Sequence, residues 1–386
     1  MSIKKSEIVY GIMSFLNGLW PKDDRSVFIY DGPFMRQNCW ALFRYLVDNG
    51  YNNDYRIYYF TNEHINSRYE GIKNVHMISS VGKGMTARFR SRFIFFEYDN
   101  FKFNCKRNKK QVSFNIWHGM PIKRIGYLTG AKKAHPYEND FSYVLVTAPY
   151  FKKIMQGAFN LTDDQIYYGG YPRNDDLFYG GKEGTSCELL RSDCKNVMWM
   201  PTFRKSASRN MCDLDSELPI INSGNIDEFN QDLAKAGIHL VIKSHPFQNK
   251  ISWLEDKKFS NITVLSNKDI FDAGLELYQF IALFDGLVTD YSSIVFDYLL
   301  TGKPVLFAMD DLDEYKASRG FVDDNIYQEF EIPFANDYGE FMKWLSEGIG
   351  SADPEAAKRM QDKFTPLSRS GSFSGDICDF LGIKKQ

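Results

Sequence analysis

The chain has 386 residues, 44% of them hydrophobic, and its six cysteines form no C-x-x-C pair and no zinc-like spacing. This length exceeds one ordinary hydrophobic core, so we expect a globular protein of two domains, with free thiols in a reducing cytoplasm. The net charge of -2 hides an asymmetry: residues 1–160 carry 24 Lys and Arg against 12 Asp and Glu, whereas residues 161–386 carry 23 against 37. The basic half is therefore expected to meet something anionic.

The first predicted element is an apolar run from Ile8 to Trp20 that follows two lysines. The run is too short to span a bilayer, and no signal-peptide cleavage pattern follows it. We predict a helix that either packs on its domain or lies on a membrane surface, and the sequence leaves both interpretations open.

Short apolar runs then alternate with amphipathic stretches, which is typical of a mostly parallel sheet with helices on its faces. A helix is predicted over Cys39–Val47, where apolar residues recur at helical spacing before the stop signal Asn49-Gly50. The predicted strands of this half are Ser26–Tyr30, Tyr55–Phe60, Val75–Ile78, Phe93–Phe96, Val112–Trp117, Val144–Thr147 and Ile166–Tyr168.

Basic and aromatic residues interleave between residues 83 and 110. No nucleic-acid motif accompanies them, so we expect no nucleic-acid partner. A solvated basic face over a strand, an anionic membrane surface and an anionic glycan acceptor all remain compatible with this pattern.

His118 closes one of the apolar runs and is followed by Gly119, Lys123 and Arg124. The carboxyl ends of parallel strands are where open α/β sheets bind ligands. An imidazole beside basic side chains at such an edge suits a general base next to a phosphate. A hydrogen-bonded structural histidine is the alternative.

The second half begins after the glycine-rich turn Gly169–Asp175, which carries Arg173, and after a polar stretch at 180–195 that we interpret as a linker. Strands are then predicted at Val197–Met200, Leu240–Lys243, Thr263–Leu265, Gly286–Thr289 and Pro304–Phe307. Helices are predicted at Glu228–Ala236, Leu275–Leu283, Ser293–Leu300, Tyr338–Leu345 and Pro354–Phe364.

Two further polar side chains follow strands of this half. Arg204 comes after the strand that ends at Met200, and His245 comes after Lys243 and before Pro246. The fork of an arginine suits phosphate oxygens, for Arg173 as well as Arg204, and His245 is better suited to donate a hydrogen bond to phosphate than to remove a proton. Surface arginines and a structural histidine are the alternatives.

The sharpest local signal is the segment Val288–Pro304. A strand ends at Thr289, Ser292 and Ser293 open a helix, and Gly302 closes it. Unpaired amides and hydroxyls at a helix start form an anion site, but the serines could equally well only cap the helix. Asp290 could cap, orient or contact the ligand. The paired acids elsewhere, such as Asp310-Asp311, lie in turn-like stretches, so we expect no dedicated metal site.

Taken in order, these segments resemble the CDP-glycerol glycerophosphotransferase family, which builds teichoic acids and related polyol-phosphate polymers. The resemblance extends over roughly residues 110–325. It rests on Trp117-His118-Gly119-x-Pro121, Gly170-Tyr171-Pro172-Arg173-Asn174-Asp175, Pro201-Thr202-x-Arg204, His245-Pro246, Thr289-Asp290-Tyr291-Ser292-Ser293, Gly302-Lys303-Pro304, Glu314-Tyr315 and Arg319-Gly320-Phe321.

The resemblance implies an α/β fold of the GT-B type, with two Rossmann-like domains, mostly parallel sheets and a cleft between them. Residues 1–185 are expected to form an acceptor- and membrane-facing domain and residues 190–365 a CDP-donor-binding domain. Residues 366–386 form a C-terminal tail that could pack back on the first domain.

The implied reaction is the transfer of a polyol phosphate, glycerol phosphate first of all, from a CDP-polyol to a hydroxyl of a glycan or polyprenyl-linked acceptor, with release of CMP. The enzyme would serve teichoic acid, capsule or O-antigen synthesis at the inner face of the cell membrane, against an anionic membrane surface. His118 resembles the catalytic base and His245 a second catalytic residue on the donor side. The donor diphosphate is assigned to Ser292, Ser293, Asp290, Arg204 and Arg173. No cofactor is required, although Mg²⁺ could enter with the donor.

Two other functions remain open from the residues. One is a GT-B glycosyltransferase that moves a sugar from a nucleotide-sugar, and the other is a non-catalytic nucleotide- or glycan-binding scaffold.

Overall fold

The computed structural model describes residues 5–31, 37–61, 67–98, 105–130, 140–179, 187–202, 218–243, 252–255, 257–351, 353–365 and 372–386. The chain divides into two compact units. Unit 1 comprises Met1–Met120, Ile125–Asp175 and Pro366–Gln386, and unit 2 comprises Pro121–Arg124 and Asp176–Thr365.

Unit 1 is built on a sheet of seven parallel strands in the order β3-β2-β1-β4-β5-β6-β7. The strands are β1 (Asp23–Tyr30), β2 (Arg56–Phe60), β3 (Val75–Ile78), β4 (Ser91–Phe96), β5 (Val112–Asn115), β6 (Tyr143–Val146) and β7 (Ile166–Tyr168). The apolar runs become central strands because both of their faces are buried, as in the last five residues of β1. All seven predicted strands are confirmed, within a few residues at their ends.

Before residue 175, the helices of unit 1 are α1 (Lys5–Leu19), α2 (Asn38–Asp48), α3 (Val81–Arg90) and α4 (Lys152–Phe159). A short helix, α5 (Asp175–Tyr179), begins at Asp175, the last residue of this part of unit 1, and its other residues belong to unit 2. The predicted helix at the N-terminus and the one that stops at Asn49-Gly50 are confirmed; Gly50 has a φ of 77°.

For the basic, aromatic region, a solvated face over a strand was one of three interpretations left open, and for residues 81–90 the strand is wrong. These residues form α3, in which Gly84, Ala87 and Arg88 are buried and recur at the three- and four-residue spacing of one helix face. The buried Arg88 guanidinium donates to Cys105 Sγ at 2.8 Å and to the Cys105 carbonyl at 3.1 Å.

Unit 2 contains a sheet of six parallel strands in the order β10-β9-β8-β11-β12-β13. The strands are β8 (Lys195–Met200), β9 (Ile238–Lys243), β10 (Ile262–Leu265), β11 (Gly286–Thr289), β12 (Val305–Ala308) and β13 (Phe334–Ala335). The first five were predicted, and β13 was missed because two residues leave no periodicity to read.

The helices of unit 2 are α6 (Ile226–Ala236), α7 (Ser252–Glu255), α8 (Asn267–Asp272), α9 (Leu277–Ile281), α10 (Ile294–Tyr298), α11 (Leu312–Arg319), α12 (Tyr338–Glu347) and α13 (Pro354–Phe364). Their apolar faces complete a core in which Trp199, Phe229 and Phe341 are in ring contact. The last helix, α14 (Phe373–Leu381), belongs to unit 1. The Asp175 carboxylate accepts the Phe373 and Ser374 N–H groups at its start, at 2.7 and 3.0 Å.

Candidate active site

The loop that carries His118 begins two residues earlier than predicted. The strand was expected to run to Trp117, but it ends at Asn115 because Trp117 adopts a left-handed φ of 62°. A non-glycine residue in that region costs roughly 1–3 kcal/mol. Hydrogen bonds on both sides hold it: the Trp117 N–H donates to Asn115 Oδ1 at 2.8 Å, and its carbonyl accepts from Asn38 Nδ2 at 2.7 Å.

This turn points the His118 ring back toward the end of β4. Its Nδ1 lies 2.9 Å from the Glu97 carbonyl oxygen. A carbonyl can only accept, so Nδ1 carries the proton and Nε2 is the basic nitrogen of the neutral ring. Nε2 has no hydrogen-bond partner among the residues that the structure describes. The Tyr98 ring stacks on the imidazole, with the centroids 4.2 Å apart and an interplanar angle of 20°.

The electrostatics keep this imidazole neutral. Burial lowers the pKa of His118 to about 4, and the positive charge of Arg173 acts in the same direction, while the hydrogen bond to the Glu97 carbonyl opposes both. At neutral pH the ring is therefore neutral, with its one proton on Nδ1 and an Nε2 lone pair that can accept a proton. The geometry is that of a base with a fixed tautomer.

Two buried carboxylates, Asp31 and Glu97, lie behind the His118 loop and were missed by the sequence analysis. They directly follow the last residues of β1 and β4. The Glu97 carboxylate accepts the N–H groups of Asn38 and Cys39 at the start of α2, both at 3.2 Å. Tyr59 donates its hydroxyl proton to Asp31. Burial, and then the Asp31 charge, raise the pKa of Glu97 well above its usual value.

The signal that singled out His118, a polar residue directly after a predicted strand, also marks this carboxylate pair. If the same pattern is searched for at the end of every predicted strand, it marks both Asp31 and Glu97.

Arg173, predicted as a donor-binding residue, lies in unit 1 beside His118. It is buried in the 3₁₀ turn Pro172–Asn174. Its Nη1 donates to the His118 carbonyl at 2.9 Å and to Gln37 Oε1 at 2.6 Å. Its backbone N–H donates to Asn38 Oδ1 at 3.3 Å. The guanidinium thus fixes the backbone of the residue whose ring is the candidate base.

The two basic residues that follow His118 make their contacts within unit 2. Lys123 forms an antiparallel bridge with Phe321, and its ammonium lies 5.6 Å from the centre of the Tyr315 ring. Arg124 donates to the Phe321 carbonyl at 3.1 Å and pairs with Asp324 at 3.6 Å. Both residues belong to unit 2. The expectation of basic side chains beside the imidazole stays a prediction for these two.

The corresponding strand edge of unit 2 is organised by Asp290. Its buried carboxylate accepts the Thr202 N–H at 2.8 and 2.9 Å and the Tyr291 N–H at 2.6 Å. The Tyr291 ring stacks on Tyr315 at 3.7 Å, and the Tyr327 hydroxyl donates to the Asp290 carbonyl at 3.1 Å. The motif segments near residues 290, 315 and 321 thus pack against one another.

Ser292 and Ser293 open α10, as predicted, but this helix has only five residues and continues as a 3₁₀ turn, Leu299–Thr301, to Gly302. Both serines are half-buried. Ser292 Oγ accepts the Ile294 N–H at a long 3.4 Å, and Ser293, the N-cap residue, makes no side-chain cap. A pure capping role therefore explains Ser293 poorly.

Lys243, at the end of β9, is a further candidate at this edge. Its side chain is buried, and burial lowers its pKa to about 8. His245 and Arg204 lie outside the described residues, so their roles stay predictions. In the described part of the chain, no group of three or more His, Cys, Asp or Glu side chains is arranged to hold a metal ion. The same residues include no helix that is long and apolar enough to cross a membrane.

Comparison with known proteins identifies the family. The model of the CDP-glycerol:poly(glycerophosphate) glycerophosphotransferase family matches residues 12–380. The chain belongs to this family. The predicted family, the enzyme class and the α/β fold with two parallel sheets are thereby confirmed, and the chain is a polyol-phosphate transferase of the glycerophosphotransferase type.

Relatives and solved structures agree with this assignment. The teichoic acid ribitol-phosphate primase of Bacillus spizizenii is 25% identical over 71% of this chain and 70% of its own length. The teichoic acid glycerol-phosphate primase of Bacillus subtilis is 26% identical over 56% of this chain, which spans only 55% of that relative. A structure of the wall teichoic acid polymerase TagF superposes with a TM-score of 0.74 at 18% identity and covers 99% of this chain and 98% of that chain.

Proposed function

We propose that this glycerophosphotransferase family member transfers a polyol phosphate, in the first place glycerol phosphate, from a CDP-polyol to a hydroxyl of a glycan or lipid-linked acceptor and releases CMP. The observation that carries the proposal is the His118 imidazole, whose Nδ1–H is tied to the Glu97 carbonyl at 2.9 Å so that Nε2 is left to accept a proton. The relatives named above include both a glycerol-phosphate and a ribitol-phosphate primase, so the polyol is a matter for experiment.

In the proposed step, His118 Nε2 takes the proton of the acceptor hydroxyl. The resulting oxygen forms a bond to the phosphorus that bears the polyol. The bond from that phosphorus to the bridging oxygen breaks, and this oxygen leaves as part of CMP. Little covalent chemistry is asked of the protein, so rate enhancement would come from positioning and from charge stabilisation.

The donor side is assigned to unit 2. Ser292 and Ser293 would donate hydroxyl hydrogen bonds to the diphosphate, and the Lys243 ammonium would offset its negative charge. His245 and Arg204 are retained as predicted ligands of the same group. Asp290 and Arg173 act in this proposal as positioning residues, because their charged groups are buried and bonded to backbone groups of Thr202 and His118.

Action at the inner face of the membrane, in teichoic acid, capsule or O-antigen synthesis, is part of the proposal. The excess of positive charge in residues 1–160 supports contact with an anionic surface.

The test is donor turnover. Purified protein is incubated with CDP-glycerol or CDP-ribitol and a panel of glycan and polyprenyl-linked acceptors, and CMP release is measured. We expect CMP release with at least one donor and a product heavier by one polyol phosphate. A product heavier by a sugar without phosphorus would favour the glycosyltransferase alternative. Tight CDP binding without turnover of any donor would favour the scaffold.

A further inference from the structure

Helix α1 presents its apolar side chains outward. Residues Ile8, Val9, Ile12, Phe15, Leu16, Leu19 and the adjoining Trp20 are between 39% and 69% exposed. They recur at intervals of three and four residues, so they form one continuous stripe along the helix. In a helix that packs on a water-soluble domain, this stripe would be the buried side.

The inward side of α1 is polar and fixed by hydrogen bonds. Asn17, which is fully buried, donates from Nδ2 to the Lys106 carbonyl and to Gln111 Oε1, both at 2.8 Å. Ser14 Oγ accepts the Lys106 N–H at 2.9 Å. Because these bonds tie α1 to the segment 105–111, the helix is held with its apolar stripe exposed.

The same segment supplies positive charge beside the stripe. Lys106, Lys109 and Lys110 are exposed, and Asn108 donates to the Gly18 carbonyl at 3.1 Å, which keeps the segment along the C-terminal half of α1. A row of ammonium groups next to exposed Phe, Leu and Trp side chains matches the chemistry of a leaflet with anionic headgroups above apolar chains.

We propose that α1 and the lysines of segment 105–110 form a membrane-binding surface, the α1 surface, that inserts its apolar stripe into an anionic phospholipid leaflet. The helix lies in the plane of the interface, with Trp20 at the level where an amphipathic indole is favoured. The proposed function places the protein at a membrane, and this proposal adds the surface that binds the membrane. It rests on the proposed function only for that location. Of the two interpretations left open by the sequence, it selects the membrane for this helix.

The test is co-sedimentation with vesicles that mix phosphatidylglycerol with phosphatidylcholine, without any CDP donor. We expect Phe15→Glu/Leu19→Glu to weaken vesicle binding by at least about tenfold. A matched control with the same change in charge is Tyr168→Glu/Phe380→Glu, which alters exposed aromatic residues elsewhere on unit 1 and should bind as the wild type does. Equal binding by the two double variants would overturn the proposal.

The charge component has its own variant. Lys106→Gln/Lys109→Gln/Lys110→Gln should reduce binding to the anionic vesicles by about tenfold or more, and raised salt should reduce wild-type binding in the same way. Unchanged vesicle binding of this variant would contradict the part of the proposal that assigns the lysines of segment 105–110 to the α1 surface.

A readout in the otherwise unaltered chain covers the case in which the glutamate variants fail to fold. Brominated phosphatidylcholine in the anionic vesicles should quench tryptophan fluorescence of the wild type, and Trp20→Phe should lose most of that quenching. Undiminished quenching in Trp20→Phe would contradict the proposal. So would a lipid-free dimer that Phe15→Glu/Leu19→Glu converts to monomer without affecting vesicle binding, because the stripe would then face a second copy of this chain. Since no donor is present, failure here is distinct from failure to release CMP.

Discussion

The two strand edges that carry the family motifs are built on different physical principles. At the unit 1 edge, a strained backbone residue, the Asn38 side-chain amide and a buried guanidinium fix the His118 loop, and burial keeps its imidazole neutral. At the unit 2 edge, the buried Asp290 carboxylate holds the backbone N–H groups of Thr202 and Tyr291, and Ser292 and Ser293 are half-buried. A base needs one tautomer at one position, whereas a diphosphate can be held by several adaptable donors.

The largest expected effect comes from removing the base. His118→Ala should lower the rate of transfer by about 10²–10⁴ while leaving the affinity for the CDP donor within about twofold of the wild type. Single-turnover CMP release and calorimetric donor binding measure the two quantities. His76→Ala, which changes an exposed histidine on the same unit, is the matched control. Loss of donor binding in His118→Ala would contradict the assignment of the base to the unit 1 edge and of donor binding to the unit 2 edge.

The pH dependence of kcat/KM tests the role of His118 as a neutral base. Because burial lowers the pKa of His118 to about 4, we expect kcat/KM to show no inflection near the usual histidine value of 6.5. Activity should fall about tenfold per pH unit only below pH ~4, where protonation occupies Nε2.

The lowered pKa of His118 also makes the free energy of unfolding depend on pH, in the direction opposite to that of a histidine in a salt bridge. The unfolded chain binds the His118 proton first, so this contribution to the free energy of unfolding is complete above pH 6.5 and is lost as the pH falls toward 4. The pH dependence of urea unfolding, compared between wild type and His118→Ala, checks this. A contribution that grows on acidification would contradict the buried, neutral ring.

The Asp290 carboxylate provides the corresponding test at the other edge. Asp290→Ala leaves the Thr202 N–H without its acceptor and should cost about 1–3 kcal/mol in the free energy of unfolding, with a rise in KM for the donor. Asp310→Ala is the control, because that exposed aspartate also accepts a backbone N–H, from Ile220 at 2.8 Å. An unchanged donor KM in Asp290→Ala would separate this edge from donor binding.

The smallest expected effect concerns the turn that carries Arg173. Asp175→Ala removes the acceptor for two N–H groups at the start of α14 and should destabilise the protein by about 1–2 kcal/mol in urea unfolding. Ser372→Ala removes the acceptor for one N–H, from Gly375, and should cost less. The reverse ranking would show that Asp175 does not anchor this helix.

Twelve of the thirteen strands that the structure describes could be predicted, within a few residues at their ends, because apolar runs that stop at a polar residue are visible in the sequence. The helix α3 was not predicted as such, since alternating Arg and Phe imitate a strand while Gly82 and Gly84 weaken the helical signal.

The site itself was predictable only in part. His118 stood out because it ends an apolar run, but its tautomer depends on a carbonyl 21 residues away, at Glu97. The positive φ of Trp117 and the grouping of Lys123 with Phe321 likewise arise from tertiary contacts that spacing does not reveal. A resemblance can transfer a role, but the hydrogen bond that makes the role possible has to be seen.

The central claim is that His118 is a neutral, Nδ1-protonated imidazole whose Nε2 is available as a base. Nitrogen NMR of isotope-labelled histidine, with His118→Ala used to assign the signal, measures tautomer and titration together. We expect the Nδ1–H tautomer throughout the neutral range and protonation of Nε2 only near pH 4. A titration midpoint near 6.5, or a proton on Nε2 at neutral pH, would contradict it.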